Sequence, residues 1–361
     1  MTSPVSAAPA SAVDARQAAI DSYRRRGRNK ALAIVGLVIA VFVSFLVAVI
    51  VGPLDISIAD VFNAVFRPEQ VDTQTQVVIR TLRLPAAVMA VLCGAALGLA
   101  GAQMQTILDN PLAEPFTLGI SAAAAFGAAL SIVMGWTLID NPQFNLALTA
   151  AISALIAVAI VALASVWRGA TAESMILLGI ALSFFFQALL SLLQYSANIE
   201  ALQQIVFWTM GSMQRANWTA NAILAVVLLA AVPFCAVNAW RLTALRLGDD
   251  RAAALGIDVK RLRLTTLLVA SFLAASAVAF TGIIGFIGLV GPHVARMLVG
   301  EDQKYFLPGA AAAGAMLLSM AYAVSLSIIP GLAIPIGIIT SLVGVPFFVF
   351  LIFTRARRRS A

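Results

Sequence analysis

Two stretches of this chain, residues 264–295 and 305–354, contain no Asp, Glu, Lys or Arg. Their lengths constrain what they can become. A helix needs about 20 apolar residues to cross a hydrocarbon core of about 30 Å. As one straight helix, 264–295 would measure about 48 Å, too long for that core. Gly282, Gly285, Gly288 and Gly291 fall inside it. The expectation is a turn near Gly282 and then a short, irregular return helix. Pro330-Gly331 divides 305–354 into two spans.

The rest of the chain extends the pattern. Of 361 residues, 61% are hydrophobic and 11% charged, against about 25% charged in a soluble domain. Apolar runs predict ten spans: 31–52, 84–107, 116–137, 145–167, 174–195, 219–239, 265–282, 284–299, 306–329 and 334–353. Pro53, Pro85, Pro111, Pro115, Pro142, Pro308 and Pro335 mark further breaks. The fold class is an all-α polytopic membrane protein of about ten transmembrane helices; a β-barrel would show short alternating strands. Residues 1–30 read as a disordered basic tail, 31–353 as the helical domain and 354–361 as a second basic tail.

Charge placement orients the bundle. An even number of spans puts both termini on one side, which then carries 19 Lys and Arg. The other side keeps Arg67, Arg80, Arg83 and Arg215. The positive-inside rule makes the basic side cytoplasmic. The basic clusters are therefore membrane anchors, and no nucleic-acid surface is expected.

A weak repeat runs through the sequence. Leu82-Arg-Leu-Pro85 opens an apolar helix, with Gly101 and Pro111 after it; Leu262-Arg-Leu-Thr265 opens another, with Gly282 and Pro292 at similar distances. The two would start on opposite sides, as in the inverted repeats of transporters.

Absences narrow the function. Lys30, Lys260 and Lys304 are the only lysines and none follows a glycine before Ser or Thr, so no phosphate-cradling Walker loop exists here. ATP use would need another chain. All sixteen carboxylates fall in expected loops or tails, which argues against a proton relay through the membrane. His293 is the only histidine, and Cys93 and Cys235 stand alone in apolar stretches. Neither pattern makes a metal site or a disulfide framework. No catalytic residue and no cofactor are expected on this chain, and the absence of an interior His/Asp/Glu cluster disfavours a membrane enzyme.

The loop 241–263 carries nine of the 39 charged residues. Asp249 and Asp250 favour a helix N-terminus, Arg251 to Leu255 propagate it, and Gly256 stops it. A short rigid helix in a basic loop suits docking to a partner. Elsewhere, Ser183, Gln187, Ser191 and Gln194 recur at i, i+4, i+8 and i+11, on one helix face. Such a face turns to a cavity or to another helix. Gly337, Ser341 and Gly344 form a small-residue packing face, and 198–215, with Trp208, Met210 and Gly211, reads as an outer amphipathic piece.

Several ordered motifs now carry a resemblance. They are Arg83-Leu-Pro85, Gly101-Ala-Gln-Met-Gln105, Asn110-Pro-Leu-Ala-Glu-Pro115, Leu118-Gly-Ile-Ser121 and Leu247-Gly-Asp-Asp-Arg-Ala-Ala-Ala-Leu-Gly-Ile-Asp-Val-Lys-Arg261. Gly282-Ile-Ile-Gly-Phe-Ile-Gly-Leu-Val-Gly-Pro-His293, Pro335-Ile-Gly-Ile-Ile-Thr340 and Gly344-Val-Pro-Phe347 follow. In order and spacing the chain resembles the permeases of iron–siderophore, haem and vitamin B12 ABC importers.

The resemblance implies a ten-helix, vitamin B12 permease-like fold in a bacterial inner membrane. It implies a homo- or heterodimeric permease, two cytoplasmic ATPases holding ATP-Mg, and an extracytoplasmic solute-binding protein. It makes Gly248, Asp249, Asp250, Arg251, Ala254, Leu255 and Gly256 the ATPase-coupling residues. Asn110 and Leu112 fall at the cytoplasmic gate, with Glu114 as a helix-end cap, and Ser183, Gln187, Ser191 and Gln194 beside the translocation path. Arg83 matches a basic residue that meets the binding protein. The chain departs from the pattern at Ala86, where a second Arg is expected, and at the uncharged Leu326–Ala333; Arg80 would substitute. The implied cargo is a ferric siderophore or other iron chelate, with haem or a corrinoid as the alternative. The rival from another class is an ion-coupled secondary transporter.

Overall fold

The computed structural model describes residues 10–359 apart from positions 53, 55, 169, 170 and 330. Among these, helix dominates. The first four helices are α1 (Ala10–Ile50), α2 (Ile58–Phe66), α3 (Thr73–Val77) and α4 (Leu84–Ile107). Next come α5 (Ile120–Met134), α6 (Pro142–Arg168), α7 (Ala172–Ser196), α8 (Ile199–Thr209) and α9 (Trp218–Leu245). The last five are α10 (Asp249–Ala254), α11 (Val259–Thr281), α12 (Ile287–Val299), α13 (Gln303–Ser327) and α14 (Ile336–Arg359).

Among the described residues, seven helices are long and apolar enough to cross a membrane, and Ile120–Met134, Ile287–Val299 and Ile336–Phe347 are shorter apolar helices. Each of the ten expected spans coincides with one of these. The charge-free run 264–295 breaks as its length requires. Gly282 ends α11 at φ 79°, and α12 returns as only 13 residues. The repeat landmarks, by contrast, occupy different local structures. Gly101 lies inside unbroken α4 and Pro111 in the following loop, whereas Gly282 ends a helix and Pro292 lies inside α12.

The expected disordered tail is corrected over residues 10–30, which continue α1 as helix. Ala, Arg, Gln and Lys are strong helix formers, and the extension has a neighbour. The Lys30 ammonium stands 5.4 Å from the Tyr305 ring centroid and 3.9 Å from an Asp302 carboxylate oxygen. Residues 1–9 lie outside the described residues. At the other end, α14 runs on through 354–359.

The core is built around α4. It is buried along almost its whole length and packs against α13, α11, α12 and α9. Lipid tails give helices no hydrophobic reason to associate, so close backbone packing through small residues must do so. A Cβ added to Gly94 would overlap the Gly314 carbonyl, and one on Gly98 the Ala310 carbonyl. Connection 210–212 is tied to two other helices. Ser212 N–H donates to Thr281 O (2.7 Å), Ile336 N–H to Gly211 O (3.1 Å) and Gly337 N–H to Met210 O (3.0 Å). The expected amphipathic piece is thus α8 plus a buried stitch, with Trp208 only 2% exposed.

Candidate coupling and gate sites

Helix α10 stands alone at the basic end of the bundle. Gly248 precedes it at φ 104° with no side-chain cap. Its far end is a Schellman turn. Gly256 N–H donates to Ala253 O (2.9 Å), Ile257 N–H donates to Ala252 O (3.2 Å), and Gly256 takes φ 80°. Ala252 and Ile257 are buried, while Asp250, Arg251, Ala253, Ala254 and Leu255 face outward. The helix is therefore anchored on one face and open on the other.

Asp249 does not cap the helix, as its position had suggested. Its carboxylate accepts both arms of the Arg263 guanidinium, from Nη1 at 3.1 Å and Nη2 at 3.0 Å. Arg263 is 5% exposed, and its Nε donates to Ile107 O at 2.8 Å. Sequence reasoning passed over Arg263, which looked like one more basic anchor of a loop. Its place in the second turn of α11, inside an apolar span and not in the loop proper, was the available signal.

Ile107 ends α4 and starts the segment expected to hold the gate. Asp109 takes a left-handed φ of 42°, and Asn110 N–H reaches back to Gln105 O (3.2 Å). The Asn110 Oδ1 then accepts from Leu112 N–H (2.9 Å), which fixes the Asn-Pro-Leu turn. An ionic network braces this turn. Arg246 pairs with Asp109 (3.1 Å) and Glu301 (2.6 Å), Glu301 with Arg296 Nε (3.0 Å), and Arg296 Nη2 donates to Gln105 Oε1 (2.7 Å). The neighbouring Asp302 pairs with Lys30.

The structure brings together residues expected at the gate and residues expected beside the path. Asn110, Leu112, Ala113 and Thr117 face Ser183, Phe184 and Gln187 of α7 across a cavity of about 240 Å³. Ser183 is half-buried and donates to Gly179 O (2.9 Å), while Gln187 is exposed. Ser191 and Gln194 share the same helix face but do not line this cavity. Leu112 is 48% exposed, so it stands free to meet another surface.

Glu114 is a correction on two counts. The one-turn helix Pro115–Leu118 has no side-chain cap, so Glu114 does not serve as one. Nor is it a solvated loop carboxylate. Its Oε2 is buried without a hydrogen-bond partner, and its Cβ lies near Gly288, beside the Leu97 carbonyl. Burial pushes the carboxyl up to about 7, against the opposing pull of the Phe286 N–H. A charged form is costly there. Glu114 thus lies in a loop, as expected, but in a loop packed against α12.

The docking arginines are also corrected. Arg83 is 6% exposed and donates to the carbonyls of Val49 (3.2 Å), Ile50 (2.7 Å) and Leu54 (2.8 Å). It closes the C-terminal end of α1, whose last carbonyls have no intrahelical partner. Arg80 does the same for α2 through Ala64 O (2.6 Å) and Val65 O (2.9 Å). Both guanidiniums are occupied within the chain.

Among the described residues no group of three His, Cys, Asp or Glu could hold a metal ion. His293 is buried and meets Phe347 edge-on at 6.2 Å. Both cysteines are free and buried. The small face of α14 packs as expected: a Cβ on Gly337 would overlap Met210 O, and one on Gly344 the Phe286 ring.

Comparison with known proteins agrees with this architecture. Residues 37–354 match the model of the FecCD transport family. The hemin transport system permease of Yersinia pestis is 36% identical, over 77% of this chain and 84% of that one. The Fe(3+)-citrate import system permease of Bacillus subtilis is 33% identical, over 93% and 98%. Other relatives are named for vitamin B12 and molybdate import. A solved inward-facing metal-chelate type ABC transporter superposes with a TM-score of 0.78 at 31% identity, covering 90% of this chain and 99% of that one. The match spans nearly all of the helical core, and the chain belongs to the FecCD transport family.

Proposed function

We propose that this chain is the membrane-spanning permease subunit of a binding-protein-dependent ABC importer for an iron chelate. It pairs with a second permease copy or close relative, with two cytoplasmic ATPases and with an extracytoplasmic binding protein. Both termini and α10 face the cytoplasm, as the 19-to-4 division of basic residues requires. The observation that carries the reading is α10: a six-residue helix closed by glycines at both ends, held on one face and exposed on the other. That geometry suits a pushing contact with a motor on another chain. The cavity joining Asn110 and Leu112 to Ser183 and Gln187 is the inner end of the path in this reading.

Iron chelates are favoured as cargo because hemin and Fe(3+)-citrate permeases are among the relatives that match over most of the chain. The test is uptake in proteoliposomes holding this chain with or without its ATPase. ATP-dependent accumulation of a radiolabelled ferric chelate, with hemin, cobalamin and molybdate as competitors, is expected only in the complete system. Uptake by the permease alone, driven by a proton or sodium gradient, would establish the ion-coupled alternative, for which Glu114 would be the candidate relay.

A further inference from the structure

Arg263 joins three elements through one planar group. Its two terminal nitrogens grip Asp249 at the start of α10, its backbone belongs to α11, and its Nε holds the last carbonyl of α4. The guanidinium is buried, permanently charged and rigid as a fork. Bidentate pairing fixes direction as well as distance. The carbonyl it holds belongs to Ile107, three residues before Asn110. The chain between them is itself fixed, by the Asn110–Gln105 backbone bond and by the Asp109–Arg246–Glu301–Arg296–Gln105 network.

We infer that Arg263 is the positioning residue that passes displacement of α10 to the segment carrying Asn110 and Leu112. The alternative routes are poorer. Gly248 and Gly256 flank α10, and no other part of the protein packs against either where a Cβ would stand. Ala252 and Ile257 give apolar contact that allows sliding. The Arg263 fork couples the start of α10 to the end of α4 with a defined direction, while the Arg246–Asp109 pair ties the end of α9 to the same gate segment. A push on α10 therefore reaches the gate segment as a pull on one carbonyl.

The inference rests on the reading of α10 as the ATPase contact, and its test separates the two. Spin labels are placed at Leu112→Cys in both permease copies, and at Asp250→Cys with a second label on the ATPase, in the complete reconstituted importer. In the otherwise wild-type complex, ATP is expected to shift both distances. In Arg263→Lys, which keeps charge but loses the fork, and in the near-isosteric Asp249→Asn, the Asp250 distance should still respond. The Leu112 shift should fall to less than half, and uptake should drop at least tenfold. Assembly is checked by co-purification; a lost Arg263→Lys complex leaves Asp249→Asn to decide. A full Leu112 shift in an assembled variant overturns the role of Arg263 and leaves the ATPase reading intact. An Asp250 distance that ignores ATP in wild type overturns the ATPase reading itself.

Discussion

Gly101 of α4 and Gly288 of α12 meet backbone against backbone: a Cβ on Gly101 would overlap the Gly288 carbonyl oxygen. The short return helix is thereby pressed against the C-terminal third of the central helix. It can come so close because Gly101 carries no side chain at the contact. Gly288 in turn lies beside Pro115 and Glu114, so the same contact seats the end of the gate segment.

Substituting Gly101 with Ala should therefore cost about 1–3 kcal/mol by overpacking. Thermal unfolding of the purified permease in detergent should shift down accordingly, and larger residues should prevent expression. Gly285→Ala is the control, because nothing lies within 4 Å of its Cβ position. Equal melting temperatures for the two variants would show that α12 can move away from α4 at no cost.

Arg83→Gln should destabilise the protein more than it alters binding-protein affinity. The residue donates two hydrogen bonds to the end of α1 and a third to the Leu54 carbonyl beyond it, from a buried site. Hydrogen bonds to charged groups are worth about 1.5–3 kcal/mol each, and Gln can replace only part of the set. The check compares melting temperature with binding-protein affinity for the fraction that folds. A tenfold affinity loss at unchanged melting temperature would return Arg83 to the docking surface.

The contrast between these residues shows what a single sequence carries. Helix count and the break at Gly282 were legible because length, apolarity and glycine spacing are local properties. The ends of α10 were legible for the same reason, since Gly248 and Gly256 are punctuation. Arg83, Glu114 and Arg263 were misread or missed because their roles depend on what folds against them. A basic residue near a span end reads as an anchor until the carbonyls of Val49 and Ile50, more than thirty residues away, are seen to occupy it. Glu114 sits in a Pro-bounded loop, and nothing local shows that the loop packs against Gly288.

Glu114 supplies a pH dependence. Its folded value of about 7 lies above its ordinary value of 4.5. The stability it contributes is full below the unfolded value and is lost as pH rises toward 7, because the unfolded chain ionises first. Between pH 5 and 7 the wild-type melting temperature should fall relative to Glu114→Gln, which carries no ionisable group at this position. Parallel pH profiles for the two proteins would mean that Glu114 is ionised in the folded state throughout.

Orientation is checked at an exposed residue of α10. In a background lacking Cys93 and Cys235, Asp250→Cys should resist an impermeant maleimide applied to intact cells and react after permeabilisation. Labelling from outside would invert the bundle and remove α10 from any cytoplasmic partner.

Gly256 takes φ 80°, with nothing within 4 Å of its Cβ position, so substitutions there are strained by backbone conformation and not by crowding. Gly256→Ala should cost about 1 kcal/mol and loosen the turn. Gly256→Pro should abolish the turn, because proline fixes φ near −65° and removes the N–H that now donates to Ala253 O. The bundle should still insert, since α10 lies between spans and is tied to the core by Ala252, Ile257 and the Asp249–Arg263 pair without itself crossing the membrane. Uptake should fall about tenfold in the alanine variant and disappear in the proline variant, while both still reach the membrane in normal amount. Hydrolysis by the assembled ATPase should lose its stimulation by loaded binding protein in the same order. If the proline variant assembles and transports at the wild-type rate, the shape of α10 is irrelevant to coupling, and the loop serves only to orient the chain.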